Sequence, residues 1–557
     1  MSRNENKQNF LHGAALLALA VAVVKIIGAL YKFPLQAIIG DEGYSYFTTA
    51  YDIYSVLLAI STAGLPLALS RMTSVAHAQG HHRQVRRIFK ASRFIYLTIG
   101  FISMMAMFLL CRNEYVNQQQ PDAWITIVSL APCAFLICYM STYRGFFQGQ
   151  GNMRPTSQSQ MLEAVVKLVV GLSLAYLLLQ LTGSVAYAAA GAIMGVTVSC
   201  FVSLLFLRSK FIPVWNDLGN SGEGVTSYRG ILKGLVAIAI PITIGAAGMQ
   251  LLNVIEVNLY MGNLIALGDS DLPLVVAVRE SILQAEPTIA LSDLHSKIAA
   301  NMKGIYNFML TFFNMPLAFI SPLSTSIVPA ITEYLTLKQD SMVKATAESA
   351  ARVTGLLALP CGVGMALLAR PIASLCYSGI RLAVATQLLQ ILGLCIFFSC
   401  CTTLTTGILQ SYNYVHIPVI NTVVCGLVRF WLVYVLTANP LINVVGIPIG
   451  GMFSYVGIFA LNLLAISRLS SQTQKPKLIR NLLRPVIPAA IMGVAVWGCL
   501  YVLQNVLHIS SVLICCGAPI AVGVVVYAVC VVILKTIKKE DCMLLPKGDK
   551  IAKLLHL

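Results

Sequence analysis

Charge is what this sequence has least of. Asp, Glu, Lys and Arg make up only 11% of its 557 residues, against about 25% in an ordinary soluble chain. Hydrophobic residues reach 57%, so a soluble multidomain protein is excluded even though the length would suit one. Negative charge is scarcer still: 21 Asp and Glu face 38 Lys and Arg, for a net charge of +17. Long polar stretches are missing, which leaves no room for a large catalytic domain outside a membrane. No CxxC pair occurs among the fifteen cysteines. Most lie in apolar runs, as in Cys400-Cys401 and Cys515-Cys516, and read as small packed side chains, with neither a metal nor a redox centre expected. His77, His81 and His82 sit in a polar segment without Cys or carboxylate and read as solvated. The first ten residues are polar and the apolar run after them is too long for a leader's core, so no cleaved signal peptide is expected.

What is present is a series of apolar runs of about 20 residues, the length that crosses a bilayer. Fourteen are found, near 13–38, 45–70, 92–111, 123–143, 158–181, 184–207, 233–262, 304–330, 349–369, 384–408, 417–437, 442–467, 484–503 and 511–534. The expectation is an all-α polytopic membrane protein. With this map, and with cations in the end turns of a span counted with the adjoining side, 28 of the 38 Lys and Arg fall on the N-terminal side of the membrane, 6 on the other and 4 within spans. The first side holds Arg83, Arg86, Arg87, Lys90 and Arg93, then Arg468, Lys475, Lys477, Arg480 and Arg484, then the basic tail from Lys535. By the positive-inside rule both termini are cytoplasmic, which an even number of spans requires. The positive balance is thus a topology signal with attraction to anionic lipid, and nucleic acid is not an expected partner.

The chain also repeats itself. Gly145 and Gln148, in GFFQGQGNMRP after the fourth span, match Gly407 and Gln410 after the tenth at an offset of 262. The same offset carries Lys167 onto Arg429, and Pro66 and Pro329 are 263 apart. The pattern predicts two six-helix lobes in a parallel repeat, residues 1–210 and 211–470, with two C-terminal helices and the basic tail in 471–557. The long outer loop 263–303 belongs to the second lobe and should carry short surface helices.

The four cations within spans carry the chemistry. Lys25 and Lys32, in VAVVKIIGALYKFPLQ, are seven apart and share one face of the first helix. Each costs on the order of 2.5–3.5 kcal/mol near the bilayer centre unless a cavity, a carboxylate or the interface relieves it. Lys32 is near enough to the outer interface to snorkel; Lys25 is not. Asp52 and Glu163 are the carboxylates of the first lobe, and Glu163 stands one turn before Lys167, the spacing of a helical ion pair. Arg71 and Arg144 end the second and fourth spans as interfacial anchors or cavity-mouth charges. A lobe with more cations than carboxylates suits an anionic ligand, with phosphate the obvious class. The second lobe offers Glu256, flanked by Asn253 and Asn258, and Arg429. Glu256 fits a proton or Na⁺ coupling site, a partner for a lysine of the first lobe, or a structural hydrogen-bonded role. No cofactor is called for, and coupling to protons, Na⁺ or the membrane potential stays open.

YRGFFQGQGNMRPTSQSQMLEAVVK (143–167), KIIGALYKFPL and AGLPLALSRM (63–72) resemble the MurJ-type lipid II flippases of the multidrug/oligosaccharidyl-lipid/polysaccharide exporter superfamily. Within them the chain is most similar to the stage V sporulation protein B or YtgP-like branch of Gram-positive bacteria. The resemblance implies a transporter and not an enzyme, set in the bacterial plasma membrane and moving a polyprenyl-pyrophosphate-linked saccharide such as lipid II by alternating access. It also implies work in peptidoglycan or polysaccharide synthesis, with cell-wall synthesis proteins as candidate partners. In such proteins basic residues of the first helix line a cationic cavity; Lys25 matches one by its basic-x-x-Gly pattern and Lys32 matches within a residue. Two departures stand out. Lysines replace arginines, and the seventh span has Glu256 where some members have an arginine.

Overall fold

The computed structural model describes residues 3–62, 64–111, 120, 122–219, 226–469, 475–508, 511–534 and 536–537, with side chains before Val23 and in parts of the seventh and ninth helices left aside. The rest of the basic tail from Lys535 and the side chains of Pro241, Pro322 and Pro329 lie outside the described residues.

All regular structure among them is helical: α1 (Arg3–Thr62), α2 (Leu65–Ala78), α3 (His82–Leu110), α4 (Ala123–Gly149), α5 (Arg154–Thr182), α6 (Val185–Asp217), α7 (Tyr228–Ala266), α8 (Pro273–Ala285), α9 (Leu291–Thr336), α10 (Asp340–Leu367), α11 (Ala369–Ala373), α12 (Gly379–Ser411), α13 (His416–Ala438), α14 (Gly446–Leu469), α15 (Leu478–Leu482), α16 (Val486–Tyr501) and α17 (Val512–Ile533). Eleven of the described helical segments are long and apolar enough to cross a membrane. Each of the fourteen expected spans coincides with helix, so this is a multi-pass, all-α membrane protein.

Glycine and proline set the breaks. α1 bends sharply at Gly40 (φ 63, ψ −170), a conformation other residues adopt only at a cost, and so supplies the first two spans. The run expected at 45–70 is broken: α1 ends at Thr62 and α2 starts at Leu65. Pro66 stands at the start of α2, where its missing N–H costs nothing. Gly64 leaves room for the backbone of α7, since a side-chain carbon there would lie 2.2 Å from the Ala239 carbonyl oxygen.

The chain forms two compact units, residues 1–269 with 279–308, and 270–278 with 309–557. The sequence puts α7 at the head of the second lobe; by contact it packs on α1, α2 and α3 within the first unit. That unit is closed by an aromatic core in which Phe89 stacks on Phe211 at 4.6 Å and the Arg86 guanidinium lies 5.0 Å from the Trp215 ring. The repeat is visible inside each unit. In the first, α3 packs on α4, α4 on α6 and α6 on α5; in the second, α10 packs on α12, α12 on α14 and α14 on α13. Gly100 and Gly362, 262 apart, mark the matching close crossings of α3 on α4 and α10 on α12.

Candidate functional site

The polar groups of the first unit gather where α1, α4, α5 and α9 pack. Beyond the Gly40 bend, α1 presents Thr48, Thr49 and Asp52 toward α9. Lys303 of α9 is completely buried. Its Nζ donates to Thr49 Oγ1 at 2.7 Å and to Asp52 Oδ2 at 3.4 Å. Asn307, one turn on, donates to Thr48 Oγ1 at 2.8 Å. The approach is close because Gly304 has no side chain: a Cβ there would fall 1.9 Å from the Asp41 carbonyl oxygen. Lys303 was hidden at the edge of the expected outer loop 263–303. That loop holds one short helix, α8, and the first turns of α9, whose Ile298, Ala299 and Met302 are fully buried. The signal was there: Leu294, Ile298, Met302, Ile305 and Met309 keep helical spacing back to Leu291.

Glu163 is also committed, to a partner other than the one its spacing indicates. Arg144 Nη2 donates to Glu163 Oε2 at 2.9 Å, and Arg144 Nε donates to Ser159 Oγ at 3.1 Å. Helical side chains lean toward the N-terminus of their helix, which aims Glu163 back at α4 and away from Lys167. The i, i+4 pair is therefore replaced by a bridge between helices. Lys167 instead lies 5.5 Å over the Tyr31 ring. Tyr31 is held in turn by donating its hydroxyl to the Ala192 carbonyl at 3.4 Å.

Lys32 is half-buried on α1 and near enough to Lys167 for the two charges to repel. Among the described residues neither ammonium has a carboxylate within 4.0 Å. Asp52 and Glu163, the carboxylates the sequence offers as counter-charges to these lysines, are occupied by Lys303 and Arg144. Two like charges near each other within membrane spans call for water or an anion to relieve them. Lys25, two turns earlier on α1, is exposed, so the structure gathers Lys32 and Lys167 and leaves Lys25 at the helix surface.

The other residues singled out by the sequence serve different ends. Arg71 is exposed on α2 and lines a cavity of about 500 Å³ with Gln79 and His81, which none of the lysines reaches. Asn253 donates to Gln250 at 3.4 Å, and Ser55, beside Asp52, donates to the same oxygen at 3.2 Å. Glu256 is buried in α7, 4% exposed, within the first unit. Gly145 packs against Leu69 and the Pro66 carbonyl, and Gly407 is buried in α12, with Gln148 and Gln410 near the helix ends. Arg429 is half-buried on α13 with its guanidinium against Gly451. The repeat extends to its surroundings: Lys167 is near Cys133 and Arg429 near Cys395, each partner 262 residues from its counterpart.

The profile of polysaccharide biosynthesis proteins matches residues 10–335, more than half of the chain. The chain belongs to that family. The MatE profile matches residues 289–435. Relatives of this family member span almost its whole length. The uncharacterized membrane protein YabM of Bacillus subtilis is 23% identical, with 98% of this chain and 96% of that protein covered. The lipid II flippase MurJ of the same organism is 24% identical over 87% of each, and its stage V sporulation protein B 23% identical over 97% and 98%. Among solved structures, an inward-facing multidrug resistance MATE transporter has a TM-score of 0.60 at 14% identity, covering 82% of this chain and 99% of that one. Lipid II flippase MurJ in an inward closed conformation has a TM-score of 0.55 at 12% identity, covering 93% and 97%. The chain is thus a multi-pass membrane protein of the polysaccharide biosynthesis family with the fold of the MATE and MurJ structures.

Proposed function

We propose that this family member is a flippase for a polyprenyl-pyrophosphate-linked saccharide, lipid II being the first choice, working by alternating access in the bacterial plasma membrane with both termini cytoplasmic. The observation that carries the reading is the Lys32–Lys167 pair, whose nearby carboxylates are taken by Arg144 and Lys303. A pyrophosphate supplies the missing negative charge, and two ammonium groups hold it as point charges. The saccharide is hydrophilic and travels with the pyrophosphate, while the polyprenyl tail stays in lipid. Drug antiport of organic cations fits poorly, because it would favour an acidic cavity. The names of the relatives MurJ and stage V sporulation protein B point the same way. Glu256 and Asn253 are candidates for coupling to protons or Na⁺.

The test is complementation of a strain depleted of its lipid II flippase, at matched membrane expression. The chain should restore growth, and Lys32→Ala with Lys167→Ala should not. Growth restored equally by both would refute the cationic-site mechanism. Failure of the unaltered chain, with rescue of a capsule or teichoic-type saccharide exporter instead, would move the substrate and keep the site.

A further inference from the structure

A second cationic cavity lies wholly within the second compact unit, walled by the first turns of α10 and by the short helix α15. α10 presents Lys344, Glu348 and Arg352 at four-residue spacing and so on one face; α15 and its flanks bring Lys477, Arg480 and Arg484. The cavity holds about 680 Å³, with five cations to one carboxylate. Glu348 is already engaged, accepting the Lys477 backbone N–H at 2.9 Å. Like charges on a loose surface would spread apart, but here Arg352 and the backbone of α15 are held in place. Arg352 is only 3% exposed and donates to Asn481 Oδ1 at 3.1 Å; Asn481 donates in turn to the Lys477 carbonyl at 2.9 Å. Gly355 then clamps α15 onto α10, since a Cβ there would lie 2.3 Å from the Leu482 carbonyl oxygen.

The same face of α10 changes character beyond Arg352. Leu356, Pro360, Gly364 and Leu368 follow at the same spacing and, with Met492 and Val496 of α16, line an apolar cavity of about 480 Å³. α10 is therefore cationic in the turns that line the first cavity and apolar in the following turns that line the second. The cationic end is on the side of the membrane that carries most of the chain's Lys and Arg. Basic pockets so placed between spanning helices suit lipid head groups.

We propose that this cavity binds the phosphate headgroup of an anionic phospholipid, whose acyl chain lies along the apolar stretch of α10. Soluble phosphate shares the headgroup chemistry; the adjoining apolar face favours the lipid. The experiment uses the full chain in nanodiscs of phosphatidylglycerol or phosphatidylcholine, with co-purified lipid counted by native mass spectrometry, and inorganic phosphate added in detergent as a separate arm. Phosphatidylglycerol should be retained in preference to phosphatidylcholine. Lys344→Gln with Arg480→Gln, at positions outside the buried wall, should weaken retention roughly 25-fold, from about 1 kcal/mol per charge and tenfold per 1.4 kcal/mol. An unchanged unfolding temperature of the variant in phosphatidylcholine confirms that its fold is intact. Equal retention of both lipids, or of phosphatidylglycerol by the variant, overturns the site. Inorganic phosphate displacing the lipid at millimolar concentration would overturn the lipid as its occupant and leave a soluble phosphate there.

Discussion

Replacing Asp52 by Asn should destabilise the protein more than removing its partner Lys303. Lys303 has no exposed surface, whereas Asp52 is 34% exposed. Asp52→Asn leaves a buried ammonium with only the Thr49 hydroxyl at 2.7 Å and with no route to water. Breaking a fully buried pair costs about 3–5 kcal/mol. Because water already reaches Asp52 and the contact is 3.4 Å long, the loss here should be about 2–3 kcal/mol. Lys303→Met removes the buried cation and leaves a carboxylate that can hydrate, for about 1 kcal/mol or less. The double variant should return to within about 1 kcal/mol of the parent, because a buried pair replaced on both sides is often close to neutral. The four proteins form a double-mutant cycle with a coupling of about 2 kcal/mol, read as shifts in apparent unfolding temperature by intrinsic fluorescence in detergent. Additive losses, or Lys303→Met as the worse single change, would refute the reasoning. They would also return Asp52 as a counter-charge for the lysines and weaken the case for an anion site.

Three further outcomes follow from the packing. Gly304→Ala should lower folded yield sharply, because its Cβ would fall 1.9 Å from the Asp41 carbonyl and overpacking costs about 1–3 kcal/mol or more; a parent-like unfolding temperature would contradict the close approach. Arg144→Ala should cost about 1.5–3 kcal/mol through the loss of a charged hydrogen bond, and Arg144→Ala with Glu163→Gln should recover part of it; a double variant no better than the single would argue against the bridge. Where the end of α8 meets the first turns of α9, burial works against the Lys297 charge, but its 2.7 Å bond to Glu286 and the fields of Glu42 and Asp122 more than offset this and hold it above its ordinary value of 10.5. Its stabilising share is therefore complete below about pH 10.5 and is lost only as pH rises through the higher folded value. Hydrogen-exchange protection of residues 273–297, corrected for the base-catalysed rise in intrinsic exchange, should stay unchanged from pH 7 to 9, and loosening of this segment in that window would contradict the pairing.

The spans were legible because apolar runs of membrane length admit few other structures, and the repeat because Gly145, Gln148 and Lys167 recur at one offset. Partners were not. Spacing along one helix assigned Glu163 to Lys167, but the lean of helical side chains and the arrival of Arg144 from α4 decide otherwise. Hydropathy stopped the loop at 303 because Lys303 is charged, although the apolar spacing ran through it to Leu291. Hydropathy also ran straight through Gly64-Leu-Pro66, where the backbone breaks to admit α7. Nor could composition tell which side of α1 faces outward: Lys25 read as the lysine without an escape to the interface and Lys32 as the one able to snorkel, whereas the fold leaves Lys25 exposed and sets Lys32 beside Lys167.

The most direct measurement of the central claim is binding of purified lipid II to the reconstituted chain, followed by native mass spectrometry for the parent, Lys32→Gln, Lys167→Gln and the two together. The cationic-site account predicts progressive loss, roughly 25-fold for the double variant if each ammonium contributes about 1 kcal/mol to the pyrophosphate, and no loss for a polyprenyl alcohol that lacks the pyrophosphate. Lipid II bound by the double variant as tightly as by the parent would contradict it.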